Sequence, residues 1–266
     1  MHIAVCVKQT PAGTNIRVDE KTGCLIREGV ESAINPFDEF AVEEAVRLKE
    51  KNPGSIVSVI TMGPPQAADV LKEAIARGCD KGYHLCDRGF AGSDTWATSY
   101  TLAKGIEKLA ETAGKVDLVI CGKQTNDSDT GHIGPQIATW LGWPNTAFVR
   151  KVENFDASSI RVQRLMEDGY DTIEMPTPAL ISVIKEINTP RIASLKGRMA
   201  AKKAVMTVWT PADIKADPAR LGSNSPTSVV RCFTPQARTG STRIEGATPQ
   251  EKAKKLVALL KEQKVI

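Results

Sequence analysis

The sequence predicts an α/β fold: a doubly wound, mostly parallel sheet with helices on both faces, plus a hairpin and an extended C-terminal arm ending in a helix. Apolar runs typical of strands lie at residues 3–8, 55–61, 82–87, 116–122 and 178–184. Helical patterns alternate with them, one opening at Pro36 and others covering residues 65–77, 94–112 and 134–141. Near-continuous apolar strands that alternate with helices predict a parallel sheet covered on both faces.

Two of the predicted helices carry boundary signals. Asn35 suits the N-cap of the first helix, Pro36 its first position and Asp38 the third position of a capping box. Gly78 follows the second helix, where a glycine commonly ends helices.

The pattern changes after residue 150. Residues 159–166 and 170–175 alternate around Asp168-Gly169, which indicates a hairpin. From residue 188 the chain looks less compact, and a stretch rich in Pro, Gly, Ser and Thr extends to residue 247. The box Thr248-Pro249-Gln250-Glu251 then opens a terminal helix with an apolar stripe and little nearby chain to cover it.

Composition places the chain among ordinary soluble proteins, with 266 residues, 41% hydrophobic and 25% charged. The net charge of +4 is too small to argue for nucleic acid, and we expect no membrane span. The cysteines form no C-x-x-C pair, so we expect buried thiols in a reducing compartment, with a cytoplasmic location; a reactive thiol is the alternative. They are Cys6, Cys24, Cys79, Cys86, Cys121 and Cys232.

The loop GKQTNDSDTGHIGPQ (122–136) carries most of the polar residues at one edge of the predicted sheet. Ligands of doubly wound sheets bind beyond the carboxyl ends of the strands, and this rule brings the loop together with residues 6–8 and 61–63. The loop could hold a metal, bind a phosphate or only turn the chain.

A metal is the weakest of these alternatives. A calcium loop that starts at Asp127 needs Gly at position 6 and Glu at position 12, where this chain has His132 and Ala138. The sequence also shows no nucleophile–base pair, carboxylate dyad or metal cluster. We therefore expect no catalytic residue and no metal.

Phosphate binding has more support. Gly131 and Gly134 let the backbone approach a ligand closely, and the helix beginning near Pro135 offers free N–H groups. A carboxylate about 6 Å from a phosphate costs roughly 3 kcal/mol at an effective dielectric of 20. Asp127 and Asp129 should therefore point away from any phosphate, while a plain turn stays open at this point.

Several separate stretches resemble the beta subunit of electron-transfer flavoproteins, over nearly the whole chain. The likeness is carried by INPFDEFAVEEAVRLKE (34–50), TMGP (61–64), GKQ with its acidic loop, LGWP (141–144) and VQRLMEDGYDTIEMPTPALISVIKEINTPRIASLKGRMAAKKA (162–204). The resemblance implies a nucleotide-binding α/β domain at residues 1–190. It implies a partner-recognition loop and an arm that packs on the alpha subunit at residues 191–266.

Electron-transfer flavoproteins are heterodimers whose alpha subunit carries one FAD. In the common branch the beta subunit binds AMP, whereas in the electron-bifurcating branch that pocket holds a second FAD that accepts hydride from NADH. One electron then goes to ferredoxin or flavodoxin, and the other goes through the alpha-subunit FAD to an acyl-CoA dehydrogenase or a similar enzyme. The segments TGHIGP (130–135) and EDGY (167–170) resemble the bifurcating branch.

The resemblance also implies which residues bind the cofactor. They are Cys6, Val7, Asn35, Asp38, Thr61, Met62, Gly122, Asp127, Asp129, Thr130, Gly131, His132, Ile133, Gly134 and Pro135. Asn35 and Asp38 could instead be helix caps, and Met62 could be a core residue.

For the partner enzyme, the resemblance implies that Leu195 anchors into it and that Lys196, Arg198 and Lys202 steer it. A core leucine is the alternative for Leu195. Two other functions stay open: a non-bifurcating beta subunit with structural AMP, and a stand-alone adenine-nucleotide-binding regulatory protein. The regulatory protein would leave Leu195 and the helix at residues 249–262 without a purpose.

Overall fold

The structure is a computed structural model that describes residues 1–12, 17–18, 25–26, 32–230 and 239–266. Cys24 and Cys232 lie outside these residues. Cys6, Cys79 and Cys121 are buried free thiols, as expected. Burial raises the pKa of Cys79 to about 12, which makes this thiol unreactive at neutral pH.

The strands are His2–Cys6 (β1), Gln9–Pro11 (β2), Arg17–Val18 (β3), Leu25–Ile26 (β4), Ser32–Ile34 (β5), Ile56–Met62 (β6), Lys81–Leu85 (β7), Leu118–Gly122 (β8), Asn145–Phe155 (β9), Ser159–Leu165 (β10), Tyr170–Pro176 (β11), Ala179–Val183 (β12) and Thr207–Trp209 (β13). The α-helices are Pro36–Lys51 (α1), Ala68–Ala76 (α2), Thr95–Ala113 (α3), Ile133–Leu141 (α4), Leu195–Lys203 (α5) and Pro249–Glu262 (α6). Short 3₁₀ turns lie at Pro65–Ala67, Arg88–Phe90, Lys185–Ile187, Pro218–Arg220 and Gly222–Asn224.

Nine strands form one sheet in the order β11-β10-β9-β12-β8-β1-β6-β7-β13. Every neighbouring pair from β9 to β13 runs parallel. The strand β10 pairs antiparallel with both β9 and β11, and the β10–β11 hairpin turns at the predicted Asp168-Gly169. The doubly wound, mostly parallel sheet and its hairpin are therefore confirmed.

The two faces of the sheet carry separate cores. Alternate residues of a strand point to opposite faces, so Ile3 and Val5 belong to one core while Ala4 and Cys6 belong to the other. The first core includes the buried faces of α1 and α2, and the second those of α3 and α4. Helices therefore cover both faces, which explains the near-continuous apolar character of the central strands.

Three elements escaped the sequence analysis. The strand β9 carries the exposed or half-buried charged residues Arg150, Lys151 and Glu153, so it shows no apolar run. The helix α5 lies in the segment expected to be less compact, and its N-cap is Ser194, whose hydroxyl accepts the N–H of Gly197 at 3.0 Å. The three-residue β13 joins the sheet beside β7.

The terminal helix α6 is confirmed with its cap. The Thr248 hydroxyl accepts the N–H of Glu251 at 3.2 Å, and no residue of the helix is buried. In the described part of the chain, no helix combines the length and apolarity needed to cross a membrane.

Candidate functional site

The carboxyl ends of three neighbouring strands meet at one edge of the sheet. The register pairs Cys6 of β1 with Ile60 of β6 and with Cys121 of β8. Met62 and Gly122 therefore end their strands beside the end of β1. The prediction that the first-strand end, the second-strand end and the loop after β8 share one edge is confirmed; we call this edge the strand-end site.

Asn35 fastens the loop after β8 to the start of α1. Its Nδ2 donates to the carbonyl oxygen of Gln124 at 2.8 Å, and its Oδ1 accepts the N–H of Asn126 at 3.2 Å. The expectation that the side chain of Asn35 caps α1 was wrong, because no side-chain cap is present. A buried carboxamide has to satisfy both its donor and its acceptor, and the loop backbone offers partners for both.

Asp38 joins α1 to the ends of β1 and β8. Its carboxylate accepts the backbone N–H of Lys8 at 2.8 Å, so the expected capping box was wrong here too. Burial raises the pKa of Asp38 to about 7, against the opposing effect of hydrogen bonds from Lys8, Asn35 and Gly122. A Cβ atom on Gly122 would collide with the Asp38 carboxylate, so this strand end requires glycine.

The two loop carboxylates have partners within the protein. The Lys8 ammonium lies 2.8 Å from the Asp127 carboxylate, which is largely buried. Burial acts to raise the pKa of Asp127, but the Lys8 ammonium outweighs it and holds that pKa below its ordinary value. Asp129 is in the left-handed region (φ 54°) and accepts the side-chain amide of Gln124. Both carboxylates are thus engaged by the protein, as a phosphate-binding loop requires.

The loop then leads into the N-terminus of α4. Gly131 has a φ of 66°, which favours glycine, and His132 is exposed and makes no side-chain cap. The buried Gly134 fits against β12, where a Cβ atom would lie 3.4 Å from Leu180 Cδ2. The first N–H groups of a helix have no intrahelical partner, so this segment can receive an anion.

The remaining predicted contacts lie on the strand ends. Cys6 and Val7 are buried in opposite cores, so they offer mainly backbone to a ligand. Met62 is only partly buried. Thr61 is fully buried, and in the described ranges its hydroxyl has no hydrogen-bond partner. An unused buried hydroxyl at this edge fits a polar ligand, since buried polar groups are normally paired.

Sequence reasoning missed Lys8 as a partner of the loop, and it also missed Lys123 and Phe148. Lys8 follows the first strand directly, so its position at the shared edge was the available signal. Lys123 follows Gly122 in the same way. Phe148 had no signal, because its place at this edge depends on the unpredicted β9.

The residues predicted to meet a partner lie on the surface. Leu195 is exposed, so a core leucine is excluded, and Lys196, Arg198 and Lys202 are exposed as well. The nearby Arg191 is not free to steer a partner, because its guanidinium binds Glu43 and Glu50.

Two open pockets, of about 480 and 340 Å³, lie elsewhere and contain none of the predicted cofactor contacts. Across the described ranges, no group of three or more His, Cys, Asp or Glu residues could hold a metal ion. The strand-end site is thus an open edge of backbone amides and buried polar anchors, and its geometry fits an adenine nucleotide. That these residues bind one stays a prediction.

Known proteins resemble this chain along its length. The sequence profile described as "Electron transfer flavoprotein domain" matches residues 22–214. CarD, a subunit of the caffeyl-CoA reductase-Etf complex of Acetobacterium woodii, is 47% identical over 267 residues and 100% of both chains. An electron transfer flavoprotein subunit beta from Clostridium acetobutylicum is 44% identical over 100% of both chains. Protein FixA of Azorhizobium caulinodans is 42% identical over 90% of this chain and 86% of its own. The chain therefore belongs to the electron transfer flavoprotein family, as a beta subunit.

Proposed function

We propose that this beta subunit pairs with an alpha subunit carrying its own FAD and holds a second FAD at the strand-end site. When bound, this FAD would supply hydride acceptance from NADH and bifurcation, with one electron going to ferredoxin or flavodoxin and one, through the alpha-subunit FAD, to an acyl-CoA dehydrogenase-type enzyme. The name of the relative CarD, from a caffeyl-CoA reductase-Etf complex, supports an acyl-CoA-linked partner. An NADH-linked reaction agrees with the expected cytoplasmic location.

The observation that carries this proposal is the anchored loop after β8. Asn35 fixes its beginning, and the Lys8–Asp127 ion pair neutralises one of its negative charges. Residues 130–134 then offer backbone N–H groups at the start of α4. Because a helix N-terminus favours negative charge, the cofactor phosphates would bind there.

The chain itself binds and orients in this proposal. The Thr61 hydroxyl offers a hydrogen bond to the adenosine portion, and the partly buried Met62 offers it an apolar contact. Asp129 stands at the loop turn, where ribose hydroxyls could reach its carboxylate. No general acid or base is required from these residues, since the flavin carries the chemistry.

The test is a count of cofactors in the purified heterodimer. The chain is co-expressed with its alpha subunit, and FAD and AMP are released by denaturation and quantified per dimer. Two FAD and no AMP are expected, together with flavin bleaching on addition of NADH. One FAD and one AMP would contradict the proposal and make the same loop a structural nucleotide site in a non-bifurcating electron carrier.

A further inference from the structure

We infer that Phe37, Lys123 and Phe148, here called the aromatic–lysine cluster, form a subsite that selects a dinucleotide over a mononucleotide. Lys123 meets the second phosphate, and Phe148 packs against the group beyond it. The inference rests on the proposed function, because only a dinucleotide extends past the phosphate-binding loop.

The first observation is an ammonium held between two rings. The Lys123 Nζ lies 5.6 Å from the ring centre of Phe37 and 5.7 Å from that of Phe148. Among the described residues, Lys123 Nζ has no ion pair or hydrogen bond. A cation–π contact at an exposed site contributes about 0.5–1 kcal/mol, less than the roughly 1.5–3 kcal/mol of a hydrogen bond to a charged group. The ammonium therefore keeps its capacity for an anion.

The second observation is the position of the cluster along the sheet edge. The backbone N–H of Lys123 donates to the Val183 carbonyl at 2.9 Å, and the register pairs Val183 with Val149 of β9. The strand order β6-β1-β8-β12-β9 places Phe148 on the far side of the phosphate-binding loop from Met62. A ligand with its adenosine at β6 and β1 and its first phosphate after β8 continues over β12 and β9. AMP ends before this point.

The third observation is the backbone of Phe148. Its φ of 58° is in the left-handed region, which is a genuine outlier for a bulky residue. The residue sits where the β9–β12 register is irregular, and its side chain is 42% exposed. Bulges and strained residues of this kind commonly re-aim a side chain at a binding site. Here the irregularity turns an apolar ring outward at the strand-end site.

The test compares two ligands on the same heterodimer, after removal of the nucleotide from the beta subunit. FAD and AMP are titrated separately into the wild type, Lys123→Gln and Phe148→Gly, whose glycine accepts the positive φ. Both variants should weaken FAD binding about tenfold or more and leave AMP binding within about twofold. Lys123→Arg should restore FAD binding because it keeps the charge. Lys151→Gln, an exposed lysine on β9, is the matched control and should change neither affinity.

The outcomes separate this inference from the proposed function. Equal weakening of FAD and AMP, or unchanged FAD binding in both variants, would overturn the inference even if the wild type carries two FAD. A wild type purified with AMP contradicts the proposed function, whereas the ratio of FAD to AMP affinities still decides the role of the cluster. A site that accepts AMP but no FAD overturns both.

Discussion

The strand-end site and the segment from residue 188 to 205 each reverse the ordinary distribution of side chains. Asn35 and Asp38, both polar, are 0% and 5% exposed, whereas the apolar Ile192, Leu195 and Val205 are 87%, 77% and 90% exposed. Buried polar groups are informative when they are hydrogen-bonded, as both are here. Exposed apolar groups that cluster are typical of a surface for another protein. The first region is built to hold a loop still, and the second is built to be covered.

The two regions should therefore respond differently to substitution. Removing a buried polar group leaves its partners unsatisfied and lowers the free energy of unfolding. Removing an exposed apolar side chain hardly changes the folded state but removes contacts with a partner.

The largest expected effect is the pH dependence that Asp38 imposes. Its folded pKa is about 7, against an ordinary 3.8, so between these values the folded chain holds a proton that the unfolded chain releases. The stability from this group is complete below pH 3.8 and is lost as pH rises through 7, a change on the order of 4 kcal/mol. Asp38→Asn should remove this part of the slope in urea unfolding measured between pH 5 and 8.

Asp69→Asn, which changes an exposed carboxylate of α2, is the control and should keep the wild-type pH slope. An Asp38→Asn protein with an undiminished slope would show that Asp38 is ionised in the fold throughout this range. The buried anchor would then be a permanent charge.

The next effect is the loss of the Asn35 bridge. Asn35→Ala leaves two backbone groups of the loop without partners, which costs about 2–4 kcal/mol, and it should also lower the nucleotide content of the purified heterodimer. Asn52→Ala is the control, since that side chain donates only to the Leu48 carbonyl at a helix end. Its cost should be about 1 kcal/mol or less. Similar losses for both variants, by chemical denaturation, would contradict a special role for the bridge.

A smaller effect distinguishes a ligand contact from a buried polar group with no ligand. In the described ranges the hydroxyls of Thr61 and Thr146 are both buried and have no partner, but only Thr61 lies at the strand-end site. Thr61→Val should weaken nucleotide binding about fivefold, the value of one neutral hydrogen bond, while Thr146→Val should not. Isothermal titration with FAD or AMP measures both, and equal affinities for the two variants would remove Thr61 from the site.

The parts of this comparison that the sequence predicts are the local ones. The strands β1, β6 and β8 and the helices α1 to α4 follow from apolar runs and helical spacing, and the shared edge follows from the rule for parallel sheets. The polar contacts do not. Lys8 and Asp127 are separated by 119 residues and Asn35 and Gln124 by 89, so their pairing appears only when the sheet closes. Local capping signals alone therefore gave the wrong role for Asn35 and Asp38.

The smallest effect on stability, and the sharpest contrast with the strand-end site, is expected at Leu195. Its side chain contributes little to the fold because it is exposed, so Leu195→Ala should change the free energy of unfolding by about 0.5 kcal/mol or less. If the leucine is an anchor, the same change should slow electron transfer to an acyl-CoA dehydrogenase-type partner about tenfold or more, since anchors at interface centres contribute about 2 kcal/mol. The rate is measured under limiting partner concentration, with the flavin content of the heterodimer checked to be unchanged. Val208→Ala, also exposed but on the edge strand β13, is the control and should leave the rate unaltered. Equal rates for wild type and Leu195→Ala would show that exposure at this position does not mark the docking surface, and would leave the buried anchors as the part of the comparison tied to function.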